Sequence, residues 1–209
     1  MSSRYHHGDL RRALLGAADE LLGQVGFQGF TLRACARLAG VSHAAPKHHF
    51  HDARGLLTAV AERGYARLVA RLQSELAKHR GDLVAEMQAT CTAYVGFATD
   101  YPEHFRIMFR SDLLEIDHTC PPDPVADTFI ELTNVILRQR GEAEVDPANM
   151  NAEKSAALIS DILLGWCYIH GYAHLKLEGQ LAMVPDQAHA AQLAMAAERL
   201  SFLITSTRR

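Results

Sequence analysis

The sequence predicts an all-α fold, and three observations lead to that prediction. Alanine and leucine, both strong helix formers, dominate the 209-residue chain. Apolar residues recur at spacings of three and four, which is the period of an amphipathic helix. No segment shows the sustained apolar–polar alternation of a half-buried strand. We therefore expect helices that pack against one another through apolar stripes.

The first two helices have clear start and stop signals. An apolar stripe over 10–25 predicts the first helix, with Asp9 as its N-cap. Gly26 ends this helix at a position suited to a left-handed C-cap. Thr31 is the expected N-cap of a short second helix, which Gly40 breaks.

The next two helices follow directly. Ser42 is the expected N-cap of a third short helix that runs to about His49, and Phe50 closes it. Asp52 is expected to cap a long fourth helix that reaches about Lys78.

The rest of the chain predicts five further helical segments. A Tyr101-Pro102 stop and two loops, 111–124 and 141–152, separate them. The segments cover about 83–99, a short stretch through Phe109, about 125–140, about 153–179 and about 186–206.

Composition excludes several classes of protein. No apolar run approaches the roughly 20 residues of a membrane span, and Met1 to Gly8 lack the apolar core of a signal peptide. We therefore expect a cytoplasmic protein without a membrane partner. The four cysteines are widely spaced and suggest no disulfide framework. Since no Gly-rich phosphate loop, GxSxG or HExxH motif occurs, we expect neither an enzyme nor a cofactor.

Charge is distributed unevenly along the chain. Its net value is −3, yet residues 1–55 contain seven basic against four acidic residues. The remaining residues contain fourteen basic against twenty acidic ones. Six of the twelve histidines also lie within 1–55. This asymmetry suggests that the N-terminal part meets an anion.

Residues 31–50 have the anatomy of a helix-turn-helix. Gly40 permits the positive φ of the turn, Val41 fills the angle between the helices, and Ala36 is small enough for close packing. The second helix of the pair would present a short polar face to a DNA major groove. That face comprises His43, Ala44, Lys47 and His48.

The side chains of this segment suggest two kinds of DNA contact. Basic and hydroxyl groups would hold phosphates, and the exposed side of the third helix would face base edges. The expected phosphate contacts are Thr31, Arg33, Lys47 and Arg54, and the expected base-facing residues are His43, Ala44, Ala45 and His48. Ser42 and His49 complete the candidate DNA-binding set.

Residues 5–60 resemble the DNA-binding domain of the TetR family of bacterial transcriptional regulators. The matching elements are Tyr5-His-His-Gly-Asp-Leu10, Gly26, Thr31-Leu-Arg33, Ala39-Gly-Val-Ser42, His49-Phe50 and Leu56-Leu57. The resemblance implies a helix-turn-helix domain over 1–55 whose third helix is the recognition helix. It also implies a helical ligand-binding and dimerisation domain over 56–209, joined by a connecting helix over 53–78. The expected function is a ligand-responsive repressor that binds a palindromic operator in double-stranded DNA.

Three positions depart from the family pattern. Lys47 stands where the family usually has an aromatic residue that touches phosphate. Ala53 stands where a lysine is usual, and Arg54 is its expected substitute. Pro46 is unusual in a recognition helix, but a missing N–H costs little in the first turn.

The last two helical segments predict a homodimer. Trp166, His170 and Gly171 resemble the Trp…His-Gly signature of one TetR subgroup. The helix around them is apolar on nearly every side, so it needs cover from its own domain and from a partner. We expect a four-helix interface built from 153–179 and 186–206 of two subunits, which presents two recognition helices about 34–36 Å apart.

The same part of the chain predicts a pocket for a small lipophilic effector, because apolar side chains there are mixed with a few polar groups. The candidate lining residues are Met87, Cys91, Tyr94, Phe105, Met108, Phe109, Phe129, Trp166 and His170.

A metal-responsive sensor and a protein-interaction module are the alternatives to a ligand-responsive repressor. Cys167, His170 and His174 lie on one helical face at spacings that suit a metal ion, which would make the protein a metal-responsive DNA-binding sensor. Hydrogen-bonded histidines in a buried helix explain the same pattern, so we expect no metal. A bare protein-interaction module would have no affinity for duplex DNA.

Overall fold

The computed structural model describes residues 7–117, 121–145 and 155–206, and within these ranges the chain is helical without a strand. The all-α prediction is confirmed. The described helices are α1 His7–Val25, α2 Leu32–Leu38, α3 Ala45–Phe50, α4 Ala53–Leu76, α5 Leu83–Asp100, α6 Pro102–Met108, α7 Asp123–Arg140, α8 Ala156–Leu177 and α9 His189–Ser206, with a 3-10 turn Asp186–Ala188 before α9. None of them combines the length and hydropathy of a membrane span.

Most of the predicted helix ends are confirmed. Gly26 and Gly40 adopt φ values of +65° and +68°, which L side chains rarely adopt. Thr31 is the N-cap of α2, where its hydroxyl accepts a hydrogen bond of 3.1 Å from the Ala34 N–H. Asp52 caps α4 by accepting a 2.9 Å bond from the Gly55 N–H.

Two predicted starts are wrong. α1 begins at His7, so Asp9 lies inside the helix. α3 begins at Ala45 with Ala44 at the N-cap position, where no side chain caps it. The backbone from Ser42 to Ala44 is a turn, in which the Ala45 N–H bonds the Ser42 carbonyl at 3.0 Å. A serine at this position therefore does not mark the first helical residue.

The chain divides into two compact units. The first contains residues up to Tyr65 together with Tyr101–Pro122, and the second contains Ala66–Asp100 together with Asp123–Arg209. The expected boundary at residues 55 and 56 therefore differs from this division, because the first half of α4 and the whole of α6 belong to the first unit.

The core of the first unit is formed by α1, α2, α3, the first half of α4, and α6. Each of these helices contributes buried apolar side chains, and so does Phe30 between α1 and α2; they include Leu14, Leu22, Cys35, Phe50, Leu56, Val60, Phe105 and Ile107. The Tyr65 hydroxyl donates a buried bond of 2.9 Å to the Met108 carbonyl. His104, also buried, lies 3.0 Å from the Asp19 carboxylate, which forms an ion pair with Arg63 as well. These polar links attach α6 to α1 and α4.

In the second unit, α5 packs against α7, α8 and α9. Half of the residues of α5 are buried, among them Met87, Cys91, Tyr94 and Phe97. Glu86 is buried too, and its carboxylate lies 2.5 Å from the Arg138 guanidinium of α7. Gln139 of α7 connects to two other helices: its amide donates to the Leu83 carbonyl of α5 at 2.6 Å and accepts from the Ser201 hydroxyl of α9 at 2.7 Å. Glu86 and Gln139 thus have hydrogen-bond partners in the core, which offsets the cost of burying their polar groups.

Candidate nucleic-acid interface and ligand cavity

α2 and α3 meet at a tight turn around Gly40. After the positive φ of Gly40, the Val41 N–H donates a 3.0 Å bond to the Ala36 carbonyl of α2. Ala36 itself is fully buried, which allows the following segment to lie close to α2. This turn has the form of a helix-turn-helix.

The two faces of α3 differ in burial. Ala45, Pro46 and Phe50 are buried in the first unit. Pro46 lies in the first turn, where its missing N–H leaves no helical bond unmade. The opposite side of α3 and the preceding turn are exposed at Ser42, His43, Ala44, Lys47 and His48, and His49 is half-buried. The segment therefore has one apolar side held by the core and one polar side in solvent.

The C-terminal end of α3 is held by a sharp corner. His51 has φ 62° and ψ −56°, and the Asp52 N–H bonds the Phe50 carbonyl at 2.7 Å. Together these features define a strained γ-turn. A Cβ atom at Gly55 would lie 2.1 Å from the Phe50 carbonyl oxygen, so this corner needs glycine. The Arg11 guanidinium lies 5.4 Å from the centre of the Phe50 ring.

One expected DNA-binding residue is buried, and a second has a hydrogen-bond acceptor within the first unit. Ala45 is only 8% exposed, so it does not face base edges. The Nε and Nη2 atoms of Arg54 donate bonds of 3.2 and 2.7 Å to the Leu114 carbonyl. Arg54 is nevertheless exposed, so its expected role in place of the usual family lysine stays a prediction. Leu114 lies 60 positions further along the chain, so no local pattern indicates this contact.

The other expected residues share the exposed surface of the helix-turn-helix. Thr31 and Arg33 are exposed at the start of α2. Arg37 is exposed one turn after Arg33 and shares its side of the helix, although the motif alone did not single it out. Basic side chains thus extend along α2 beside the polar face of α3.

The second unit contains an apolar cavity of about 50 Å³ between α5, α7, α8 and α9. Four of the expected ligand-binding residues lie on its wall. The full lining is Met87, Thr90, Cys91, Phe129, Leu132, Thr133, Val135, Ile136, Ile162, Gly165, Trp166, Ile169 and Leu200.

The remaining expected ligand residues do not lie on that wall. Tyr94 and His170 share a hydrogen bond of 2.8 Å instead. Phe105, Met108 and Phe109 belong to the first unit, where Phe105 and Phe109 pack edge to face with ring centroids 5.2 Å apart. Apolar spacing predicts that a side chain is buried, but it does not predict which core buries it.

Titratable groups around the cavity are held in their neutral forms. Burial, with a smaller contribution from His174, lowers the pKa of His170 to about 4. Burial raises the pKa of the Cys91 thiol to about 12. Both changes follow from the cost of placing a charge in an apolar environment. Trp166, which contacts the His170 ring, has a buried Nε1–H without a hydrogen-bond acceptor among the described residues.

The metal-sensor alternative finds no support. Cys167 is exposed, and the His170 ring is bonded to Tyr94 and stacks edge to face on His174 at 4.6 Å. Over the part of the chain that the structure describes, no three His, Cys, Asp or Glu side chains are grouped so as to hold an ion.

Large apolar side chains are exposed on α8 and α9. Phe202 and Leu203 of α9 are 71% and 50% exposed, and Ile159, Leu163 and Leu164 of α8 are exposed as well. The opposite sides of both helices contribute core residues such as Ile169 and Leu200. Each helix is therefore apolar on a side that its own unit does not cover.

A helix-turn-helix whose second helix, here α3, has one side exposed defines a class of DNA-binding proteins. Residues 14–60 match the family model described as bacterial regulatory proteins, tetR family. Residues 87–197 match the model described as tetracyclin repressor-like, C-terminal domain. The chain belongs to the TetR family and is a helix-turn-helix transcriptional regulator, which places it in a family of regulators rather than of enzymes.

Individual relatives agree with this assignment. The chain is 37% identical over 195 residues to the HTH-type transcriptional regulator BetI of Rhizobium meliloti (strain 1021), covering 86% of this chain and 88% of that protein. A protein with unknown function from Rhodococcus sp. RHA1 has a similar structure, with a TM-score of 0.72, 28% identity and coverage of 96% and 98% of the two chains. A TetR variant from Acinetobacter baumannii AYE, solved in complex with minocycline, shares the fold at a TM-score of 0.64 and 19% identity over 94% and 96%.

Proposed function

We propose that this regulator is a ligand-responsive repressor that binds a palindromic operator as a homodimer in the cytoplasm. The exposed polar face of α3 is the observation that carries the proposal. Burial of Ala45, Pro46 and Phe50 on one side holds the segment rigidly enough to present the other side to a major groove.

The exposed residues divide by chemistry into two kinds of contact. Lys47, Arg33 and Arg37 offer positive charge to phosphates, and the Thr31 hydroxyl proton is free to join them because the α2 cap uses only its oxygen. His43 and His48 have ring nitrogens for base edges, and the Ala44 methyl suits a thymine methyl. Ser42 and His49 flank this face and complete the proposed interface.

The homodimer is proposed from the uncovered apolar sides of α8 and α9. Phe202 and Leu203 would cost free energy in water, and a second copy of the same surface covers them in a two-fold arrangement. Sedimentation should show a species of twice the 23.1 kDa chain mass. Phe202→Glu should shift it toward the single chain. A wild-type protein that sediments only as the single chain at micromolar concentration would contradict the dimer.

The effector site is proposed at the cavity of the second unit. Pockets for drug-sized ligands measure roughly 300–1,000 Å³, so the cavity of about 50 Å³ has to widen for a ligand of that size. A ligand that binds only the widened form shifts the population of conformations, and this shift can change operator affinity.

Selection of bound duplexes from a random pool tests the central function. A palindromic sequence should be enriched, with its half-sites about one helical turn apart. Absence of duplex binding at low salt would favour the protein-interaction module instead. Enrichment of a single unrepeated half-site would contradict the two-fold arrangement.

A further inference from the structure

One residue of the cavity lining has a buried hydrogen-bond donor without a partner. Trp166 lines the cavity, and its indole Nε1–H is buried without an acceptor among the described residues. The large majority of buried side-chain polar atoms in proteins are paired, so an unpaired donor at a cavity points to a ligand acceptor.

Ring contacts hold the indole in place. Phe129 packs edge to face on Trp166 with centroids 5.5 Å apart, and His170 packs on it at 6.0 Å. His170 is itself held by its bond to Tyr94. The indole therefore has little freedom to turn its N–H toward another group.

The remaining lining offers no charge to a ligand. Of the thirteen lining residues, none is an acid, a lysine, an arginine or a histidine. Cys91 stays a neutral thiol because burial raises its pKa to about 12. A charged group would lose its hydration here without gaining a counter-charge, which disfavours ionised ligands strongly.

The other polar groups of the wall are two threonine hydroxyls. Thr90 donates its proton to the Glu86 carbonyl at 2.8 Å, so its hydroxyl is not available as a donor to a ligand. The Thr133 hydroxyl is the second polar group of the lining. The Trp166 N–H differs from both hydroxyls because it is buried without a partner and ring contacts hold the indole.

We propose that the effector is an uncharged, mainly apolar molecule with a hydrogen-bond acceptor, such as a carbonyl oxygen, that receives the Nε1–H of Trp166. This inference rests on the proposed effector site and specifies its ligand chemistry. It makes Trp166 a specificity-determining residue, because the indole N–H distinguishes an acceptor-bearing ligand from a hydrocarbon of the same shape.

Matched ring compounds test the inference on the full-length protein. Cyclohexanone carries the acceptor, methylenecyclohexane replaces its oxygen with CH2, and cyclohexanecarboxylate and cyclohexylammonium carry charges of either sign. Trp166 is the single tryptophan of the chain, so its emission reports binding directly, and calorimetry provides a second measurement. We expect cyclohexanone to bind about tenfold more tightly than methylenecyclohexane, with weaker binding of both ions.

Two variants assign the preference to the indole N–H. By calorimetry, Trp166→Phe should reduce the ketone-to-alkene ratio to about one while methylenecyclohexane still binds. Tyr168→Phe is the matched control: it removes one polar hydrogen from the same helix away from the lining, and the ratio should stay unchanged.

Every other outcome overturns the inference. Equal wild-type binding of ketone and alkene would refute the acceptor requirement, and this comparison needs no variant. Preference for either ion would refute the neutral ligand, and absence of binding by all four probes would refute the site. Duplex binding is measured separately without probes, so its failure refutes the proposed function and leaves the probe ratio interpretable.

Discussion

Replacing Gly55 by alanine tests the geometry that holds the recognition helix. Gly55 lies in the first turn of α4, where alanine is normally favoured over glycine by about 0.5–1 kcal/mol. Here, however, the new Cβ would lie 2.1 Å from the Phe50 carbonyl oxygen. Structure and helix propensity therefore predict opposite signs for the change in stability.

The loss of stability depends on how the new Cβ atom and the Phe50 carbonyl oxygen are separated. Separating the two atoms breaks either the Asp52 N–H bond to Phe50 or the Asp52 cap on Gly55, each worth about 1 kcal/mol. Residual overpacking adds about 1–3 kcal/mol. We expect Gly55→Ala to lower the free energy of unfolding by about 1–3.5 kcal/mol net, which corresponds to a fall in Tm of about 2–14 °C.

Denaturation followed by circular dichroism at 222 nm measures this change, at fixed protein concentration because a dimer links stability to concentration. Gly16→Ala is the matched control. Gly16 lies within α1, and a Cβ there meets nothing within 4 Å, so this variant should gain about 0.5–1 kcal/mol. If Gly55→Ala is as stable as Gly16→Ala, the described corner between α3 and α4 is wrong.

Three further predictions use the same denaturation assay. Thr31→Ala removes the 3.1 Å cap on the Ala34 N–H and should cost about 1 kcal/mol, whereas Thr31→Ser should cost little; equal losses would exclude the cap. His51→Val should cost about 1–3 kcal/mol at φ 62° and His51→Gly much less, and the reverse order would refute the strained turn. Burial lowers the pKa of His170 from 6.5 to about 4. Between pH 6.5 and about 4, His170 is protonated in the unfolded chain and neutral in the folded chain. The free energy of unfolding should therefore fall as the pH drops through this range. His170→Gln should flatten that part of the profile; an unchanged profile would contradict the neutral ring.

Local chemistry made the helices and the turn predictable from sequence. Gly26 and Gly40 lie where the chain requires a positive φ, and Thr31 and Asp52 are caps because their side-chain oxygens reach backbone N–H groups three residues ahead. Each of these signals acts within a few residues, so reading along the chain detects it. The start of α3 is different, because Ser42 begins a turn that a serine cap resembles.

Some predicted site residues lie elsewhere in the structure, because their positions depend on contacts between residues that are distant in sequence. Ala45 has the spacing of a base-facing residue, but the core of the first unit buries it. Phe105 and Met108 have the spacing of core residues, and they fill the core of the first unit rather than the ligand cavity. The unpaired Trp166 N–H is likewise invisible in a sequence, because pairing depends on where neighbouring helices place their acceptors.

The salt dependence of duplex binding by Lys47→Ala tests the central claim most directly. If the exposed face of α3 contacts DNA, the slope of log K against log salt should become shallower by about 0.9 for each lost phosphate contact, or about 1.8 for a dimer. Lys78→Ala, a surface lysine beyond α4 that pairs with Glu75, should leave the slope unchanged. Identical slopes for wild type and Lys47→Ala would contradict the assignment of this face to DNA.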